Sequence, residues 1–237
     1  MKKSFKSYLP LVGLFVFVLA TAAQAGIYLE SEVVAKGMPN RPDGTSIDRS
    51  YYTSGAFRIE LGSSRIIIMD FNTMTMYHLD PGSMTYRETK LNELADKMSN
   101  IDPEAQKKMM GSILGTMQVT PTGETKTIEG YKCKKYNVSF MSMPSEYWVT
   151  KDVEAYGELK ELYSGMAKSF EANPMLSEMN VMGIMSKVDG FPVQIVRQSM
   201  GGQTVSTVKK MEKKNLSEDL FKVPKGYTLK ESTRPKL

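Results

Sequence analysis

From residue 26 to about residue 89, apolar and polar side chains alternate with a period of two between short runs of turn residues, a pattern that predicts an antiparallel meander. Ile27, Leu29 and Val33 share one parity, Pro39 to Gly44 reads as a polar loop, and a second strand covers about Ser46 to Thr53. Phe57, Ile59 and Leu61 alternate with Arg58 and Glu60, which predicts one buried and one wet face. Arg65 to Phe71 is apolar on both parities, so both sheet faces are expected to be covered there. Asn72-Thr73 turns the chain into a strand from Met74 to Leu79. Asp80-Pro81-Gly82-Ser83 then sets Pro and Gly as a type II turn needs them, before Met84 to Glu88.

The period then changes. Leu91, Leu94 and Met98 are spaced as a helical face, and Asp102 followed by Pro103 caps and opens a second helix carrying Ala105, Met109, Ile113 and Met117. Strands resume at about Thr125 to Ile128, at Tyr131 to Met143, and at Glu146 to Thr150, which contains Trp148. After Asp152, Tyr156, Leu159, Tyr163, Met166 and Phe170 follow one another at steps of three and four, the stripe of an amphipathic helix. Asn173-Pro174 restarts a helix with Met175, Met179 and Met182. Phe191 to Met200 and Gln203 to Met211 form a hairpin about Gly201-Gly202, and a tail runs from Leu216 to Tyr227. No tandem repeat or internal linker interrupts this order, so residues 26–237 read as one domain.

Residues 1–25 read as a secretory signal. Lys2, Lys3 and Lys6 precede a nearly continuous apolar run from Leu9 to Ala20, and Ala23-Gln24-Ala25 supplies the small residues of a cleavage site before Gly26. The expected location is periplasmic or secreted. Gly26, not Cys, stands directly after the cleavage site, so no lipoprotein anchor is expected, and no later apolar run is long enough for a membrane helix. The signal holds three lysines and no acid, so its removal takes the formal charge from +5 to +2 and leaves little support for a nucleic-acid partner.

The chemistry-bearing residues are few. One histidine, His78, and one cysteine, Cys133, exclude an intrachain disulfide and zinc sites of the Cys/His kind, and Cys133 is expected to be buried. No nucleophile elbow, phosphate loop or dinucleotide fingerprint occurs, so no catalytic residue, cofactor or reaction is assigned and the protein is not read as an enzyme. Methionine is the outlier, at 19 residues. Met74 with Met76, and Met141 with Met143, each put two thioethers on one strand face, a pattern that suits Cu(I). The same positions suit an irregular core or an adaptable apolar cavity, and no tight metal site is expected.

The run Thr125-Lys126-Thr127-Ile128-Glu129-Gly130-Tyr131-Lys132-Cys133-Lys134-Lys135-Tyr136, the segment Glu146-Tyr147-Trp148-Val149-Thr150, and Phe221 to Tyr227 carry a resemblance. The chain resembles a bacterial exported domain-of-unknown-function family, number 4412, associated with the LolA/LolB-like lipoprotein-carrier superfamily. The element order, together with that resemblance, implies an α+β fold: a strongly curved antiparallel sheet, an incomplete β-barrel, with helices packed on its concave face. The implied function is a soluble binding module for a lipid, acyl chain, lipoprotein segment or hydrophobic peptide. The alternatives are a cell-envelope interaction protein with a filled core and a Met-based copper binder. Candidate cavity residues are Phe57, Ile59, Leu61, Met74, Met76, Met109, Ile113, Trp148, Met166 and Phe170.

Overall fold

The computed structural model describes residues 23–39, 42–102, 104–105, 118–140, 143–171, 187–199 and 201–230. The alternating N-terminal half forms β1 (Ala23–Lys36), β2 (Gly44–Tyr52), β3 (Ala56–Leu61), β4 (Arg65–Asp70), β5 (Thr75–Asp80) and β6 (Thr85–Lys90), each antiparallel to the one before. Helix α1 (Leu91–Ser99) follows, then β7 (Gln118–Ile128), β8 (Tyr131–Phe140) and β9 (Met143–Thr150). The long stripe forms α2 (Tyr156–Glu171). A hairpin of β10 (Phe191–Ser199) and β11 (Gly202–Ser217) comes next, and a 3-10 turn (Glu218–Phe221) leads to β12 (Thr228–Leu229).

Among the described residues, the strands join one 12-stranded sheet in the order β12-β6-β5-β4-β3-β2-β1-β11-β10-β9-β8-β7. Two meanders therefore meet along the β1/β11 ladder, which pairs Ala23 with Ser217 at one end and Lys36 with Gln203 at the other. The ladder needs close approach at two glycines. A Cβ on Gly26 would lie 2.5 Å from the Tyr52 carbonyl oxygen, and one on Gly202 would lie 2.6 Å from the Gly37 backbone. Register shifts at Glu30/Ser31, Pro121/Thr125 and Pro192/Gln194 add local bend and twist, so the sheet curves without closing. The helices pack on its concave face, as expected.

Three apolar clusters hold this arrangement together. Leu159 and the residues before α2 join Ile27, Leu29, Cys133, Trp148, Phe191 and Val193. Met166 and Phe170 join Met69, Phe71, Met74 and Ala95 of the β4–β5 region and α1. Val188 covers Val138, Tyr147 and Val149 on the β8/β9 pair. Ile68 and Met69 are adjacent and both fully buried, which is the two-sided covering expected of Arg65 to Phe71. In α1, Leu91 packs against the second cluster as expected, but the next inward residue is Ala95, and Leu94 stays exposed. Asp102 Oδ1 accepts from the backbone N–H groups of Glu104 and Ala105, the predicted cap; the remainder of that helix lies outside the described residues. So does the Met175/Met179/Met182 stripe.

One strand reading is corrected. The Arg58/Glu60 side of β3 is not a wet face: Arg58 is only 8% exposed, with Nε donating to Glu60 at 2.8 Å and Nη1 to the Leu220 carbonyl at 3.1 Å. The cause is the tail. After β11 the 3-10 turn lies against β3 and β4, and the chain then runs to the far edge, where β12 pairs parallel with β6. Alternation alone cannot show that a distant segment returns over the polar parity.

Candidate functional site

The candidate cavity residues divide into groups. Phe57, Met74, Met76, Met166 and Phe170 come together in the second cluster. Their rings form a chain, with Phe57 to Phe71 centroids 5.8 Å apart and Phe71 to Phe170 6.0 Å apart, both edge-on. Met74 has φ 50°, a left-handed conformation costing about 1–2 kcal/mol for an L-residue, while its side chain is buried with the cluster. Ile59 and Leu61 lie further along β3, half-buried and outside the cluster. Trp148 belongs to the first cluster instead. Met109 and Ile113 lie outside the described residues. The inner stripe of α2 thus sits on packed side chains, with Met166 at 2% exposure.

The methionine pairs part company. Met74 and Met76 meet Met69 and Met166, whereas Met143 is exposed at the β8/β9 end and Met141 lies outside the described residues. Among the described residues, no group of three or more His, Cys, Asp or Glu side chains could hold a metal ion. Cys133 is fully buried and its thiol donates to the Tyr131 carbonyl at 3.5 Å; burial pushes its pKa up, against the lowering charge of Lys126. His78 sits on β5, far along the sheet order from Cys133 on β8. The Lys126 ammonium lies 4.4 Å from the centre of the Trp148 ring, and Trp148 Nε1 is buried without a hydrogen-bond partner.

Open space lies beside α2. On one flank, a crevice of about 470 Å³ is bounded by Gly26, Ile27, Lys213 and Asn215 of the β1/β11 ladder and by Glu158, Glu161, Leu162 and Gly165 of the helix. On the other, a crevice of about 370 Å³ runs between Tyr156, Lys160, Tyr163, Ser164 and Ala167 and the segment from Lys187 to Phe191. Both volumes fall in the range of small-ligand sites. Helical geometry explains the division: residues 159, 163, 166 and 170 share the inner stripe, and 158, 161, 162 and 165 share one flank. Tyr163 links stripe and flank, its ring 6.4 Å from that of Tyr52, and burial pushes its phenol pKa up. At Gly165 an added Cβ would meet nothing within 4 Å. Sequence reasoning missed this flank because it followed the apolar stripe; the legible signal was Gly165 inside a strong helical pattern.

An incomplete barrel of antiparallel strands with helices on its concave face, flanked by two apolar crevices, defines a class of sheet-and-lid folds. Within that class the chain belongs to the family described as Domain of unknown function (DUF4412), whose model matches residues 41–227. No curated protein matches the sequence. Among solved structures, the chain is similar to PNGF-II at 14% identity and a TM-score of 0.44, with 88% of this chain covered; it spans about a third of that protein's length (32%). It is similar to a chain of the Pseudomonas aeruginosa MucA/MucB complex at 10% identity and a TM-score of 0.39, covering 86% of this chain and 57% of that one. It is also similar to the LolA superfamily protein NE2245 from Nitrosomonas europaea, at 9% identity and a TM-score of 0.33, covering 84% of this chain and 90% of that one. At these scores none of the three carries a functional argument. Among the described residues, no helix is long and apolar enough to cross a membrane.

Proposed function

We propose that the chain is exported, processed after Ala25 into a single domain of residues 26–237, and serves as a periplasmic binding module for a hydrophobic ligand, without catalysing a reaction. The ligand class is a lipid, acyl chain or hydrophobic peptide. One observation carries the reading: α2 is held by a narrow inner stripe and leaves apolar crevices of about 470 and 370 Å³ along its two flanks. The larger is floored by Ile27 and Leu162, and at Gly165, on its helix wall, an added Cβ would meet nothing within 4 Å. A second reading, an envelope interaction protein with a filled core, is favoured by the packed cluster under α2.

The test is occupancy of the larger crevice. Wild type should bind a fluorescent fatty acid saturably at micromolar concentration, and native mass spectrometry of protein from its own host should show a retained lipid. Gly165→Leu should abolish that binding while the protein stays folded, because the new side chain enters open space and Gly is about 0.8–1.0 kcal/mol worse than Ala in a helix. Wild type that binds neither acyl chains nor hydrophobic peptides leaves the interaction-protein reading.

A further inference from the structure

The walls of the crevice between α2 and the β1/β11 ladder differ in polar character. The sheet side presents donors: the ammonium of Lys213, the amide of Asn215 and the hydroxyl of Ser54. The helix side presents the carboxylates of Glu158 and Glu161. Lys213 and Asn215, two positions apart on β11, share one face, and Lys213 pairs with Ile27 across the ladder. Lys214 also borders the crevice, but its ammonium lies 5.4 Å from the centre of the Tyr28 ring, on the face of the ladder opposite Lys213. Lys213 forms an ion pair with Glu158 across the gap, each side chain about half exposed. Glu161 has no ion-pair partner among the described residues.

We infer that this crevice takes a single-chain amphiphile with a zwitterionic head, an inference that rests on the reading of the protein as a binder of hydrophobic ligands. The acyl chain lies along Ile27, Leu162 and Gly165, the phosphate meets Lys213 and Asn215, and the ammonium meets Glu158 and Glu161. The reason is the fate of the Lys213–Glu158 pair. A ligand passing between the walls separates it. An anionic head takes Lys213 but sets a like charge beside Glu158 and Glu161, a cationic head does the reverse, and an uncharged head replaces neither partner. A head with a phosphate and an ammonium replaces both halves of the pair and gives Glu161 a counter-charge. Because the groups are about half exposed, solvent screens them and the discrimination is modest, about three- to tenfold in affinity.

The experiment uses three competitors with the same acyl chain, each below its micelle concentration: lysophosphatidylethanolamine, lysophosphatidic acid and a monoacylglycerol. Each displaces a bound fluorescent fatty acid from the wild-type chain and from Lys213→Gln, Glu158→Gln, Gly165→Leu and the exchange variant K213E/E158K, with thermal unfolding recorded for every variant. The expected result is about a three- to tenfold preference for lysophosphatidylethanolamine that shrinks as salt is added. Either Gln variant should lose the preference, with monoacylglycerol competing at least as well as before because no ion pair is left to separate; the exchange variant should not restore it in full, because the phosphate partner then stands beside Glu161; and Gly165→Leu should lose all three ligands. Equal competition by the three heads, or a preference indifferent to both Gln variants, overturns the zwitterion assignment and leaves hydrophobic binding in place. Lysophosphatidylethanolamine binding untouched by Gly165→Leu places the site elsewhere and overturns the assignment too. No displacement by any competitor, with no saturable binding of the probe itself, overturns the binding reading beneath it.

Discussion

Met166 and Gly165 are neighbours on α2 with opposite surroundings, and truncating the first while extending the second separates packing from binding. Met166 is 2% exposed and clustered with Met69, Phe71, Met74, Ala95 and Phe170. Changing it to Ala removes three heavy atoms from that cluster, about 2.4 kcal/mol of transfer free energy at ~0.8 per buried methylene-sized group. The surrounding strands are tied into hydrogen-bonded ladders and collapse only partly, so a cavity term adds to this and the total falls at about 2–5 kcal/mol. Urea unfolding followed by tryptophan fluorescence at Trp148 measures the loss as a lowered midpoint with an unchanged slope. Acyl-probe affinity of the folded variant should stay close to wild type, because the open crevice is lined by residues 158, 161, 162 and 165 and not by 166. A loss under about 1 kcal/mol, or a large change in probe affinity, would refute the reasoning: the inner stripe would then be a loose lid over a ligand cavity.

Arg58→Ala removes the guanidinium that bonds Glu60 and the Leu220 carbonyl, and it should cost about 1–3 kcal/mol in urea unfolding, far more than a wet-face position would; a change within 0.5 kcal/mol, the usual range for exposed surface sites, would contradict the tail's role as cover. His78 is half-buried on β5, and its pKa is lowered first by burial and then by the charges of Arg65 and Arg87. The unfolded chain therefore takes up the proton first, and stability is full above the unfolded value of about 6.5 and declines as pH falls from there toward the lower folded value. Thermal unfolding between pH 7.5 and 5 should show this decline in wild type and a flatter profile in His78→Gln; equal slopes would remove His78 as the source.

Local order was legible in the chain and long-range order was not. The strands from Phe57 to Glu88, the turn at Asn72-Thr73 and the stripe from Tyr156 to Phe170 became the elements their patterns predict, because side-chain period and turn chemistry depend on near neighbours. The chain also turns after Asp80, but not as the expected type II turn: the positive φ, 51°, falls at Met84 and not at Gly82, and Asp80 Oδ1 accepts from the backbone N–H groups of Gly82 and Ser83. The burial of Cys133 and the two-sided covering of β4 also followed from residue type. β7 begins seven residues before its predicted start, and β11 runs six residues past its predicted end, because cross-strand pairing extends segments whose own alternation is weak. β12 has two residues and no pattern of its own; it exists through its pairing with β6.

The site shows the same division. An apolar stripe on α2 was readable, but periodicity reports only that a face is apolar, not whether the space it meets is filled. Tertiary packing put Phe57, Met74, Met76, Met166 and Phe170 into contact with one another and left the open volume along the flank of Gly165 and Leu162. Lys213 and Glu158 are 55 residues apart in the chain and meet only because β11 lies beside α2 in the folded molecule. Arg58 became buried for the same reason, through a tail whose return path no local pattern encodes. The sequence by itself determined the elements, their apolar faces and the scarcity of reactive groups, which are properties of residues and their near neighbours. The fold decided which faces are covered, which charges oppose one another and where space remains, because those depend on contacts between residues far apart in the chain.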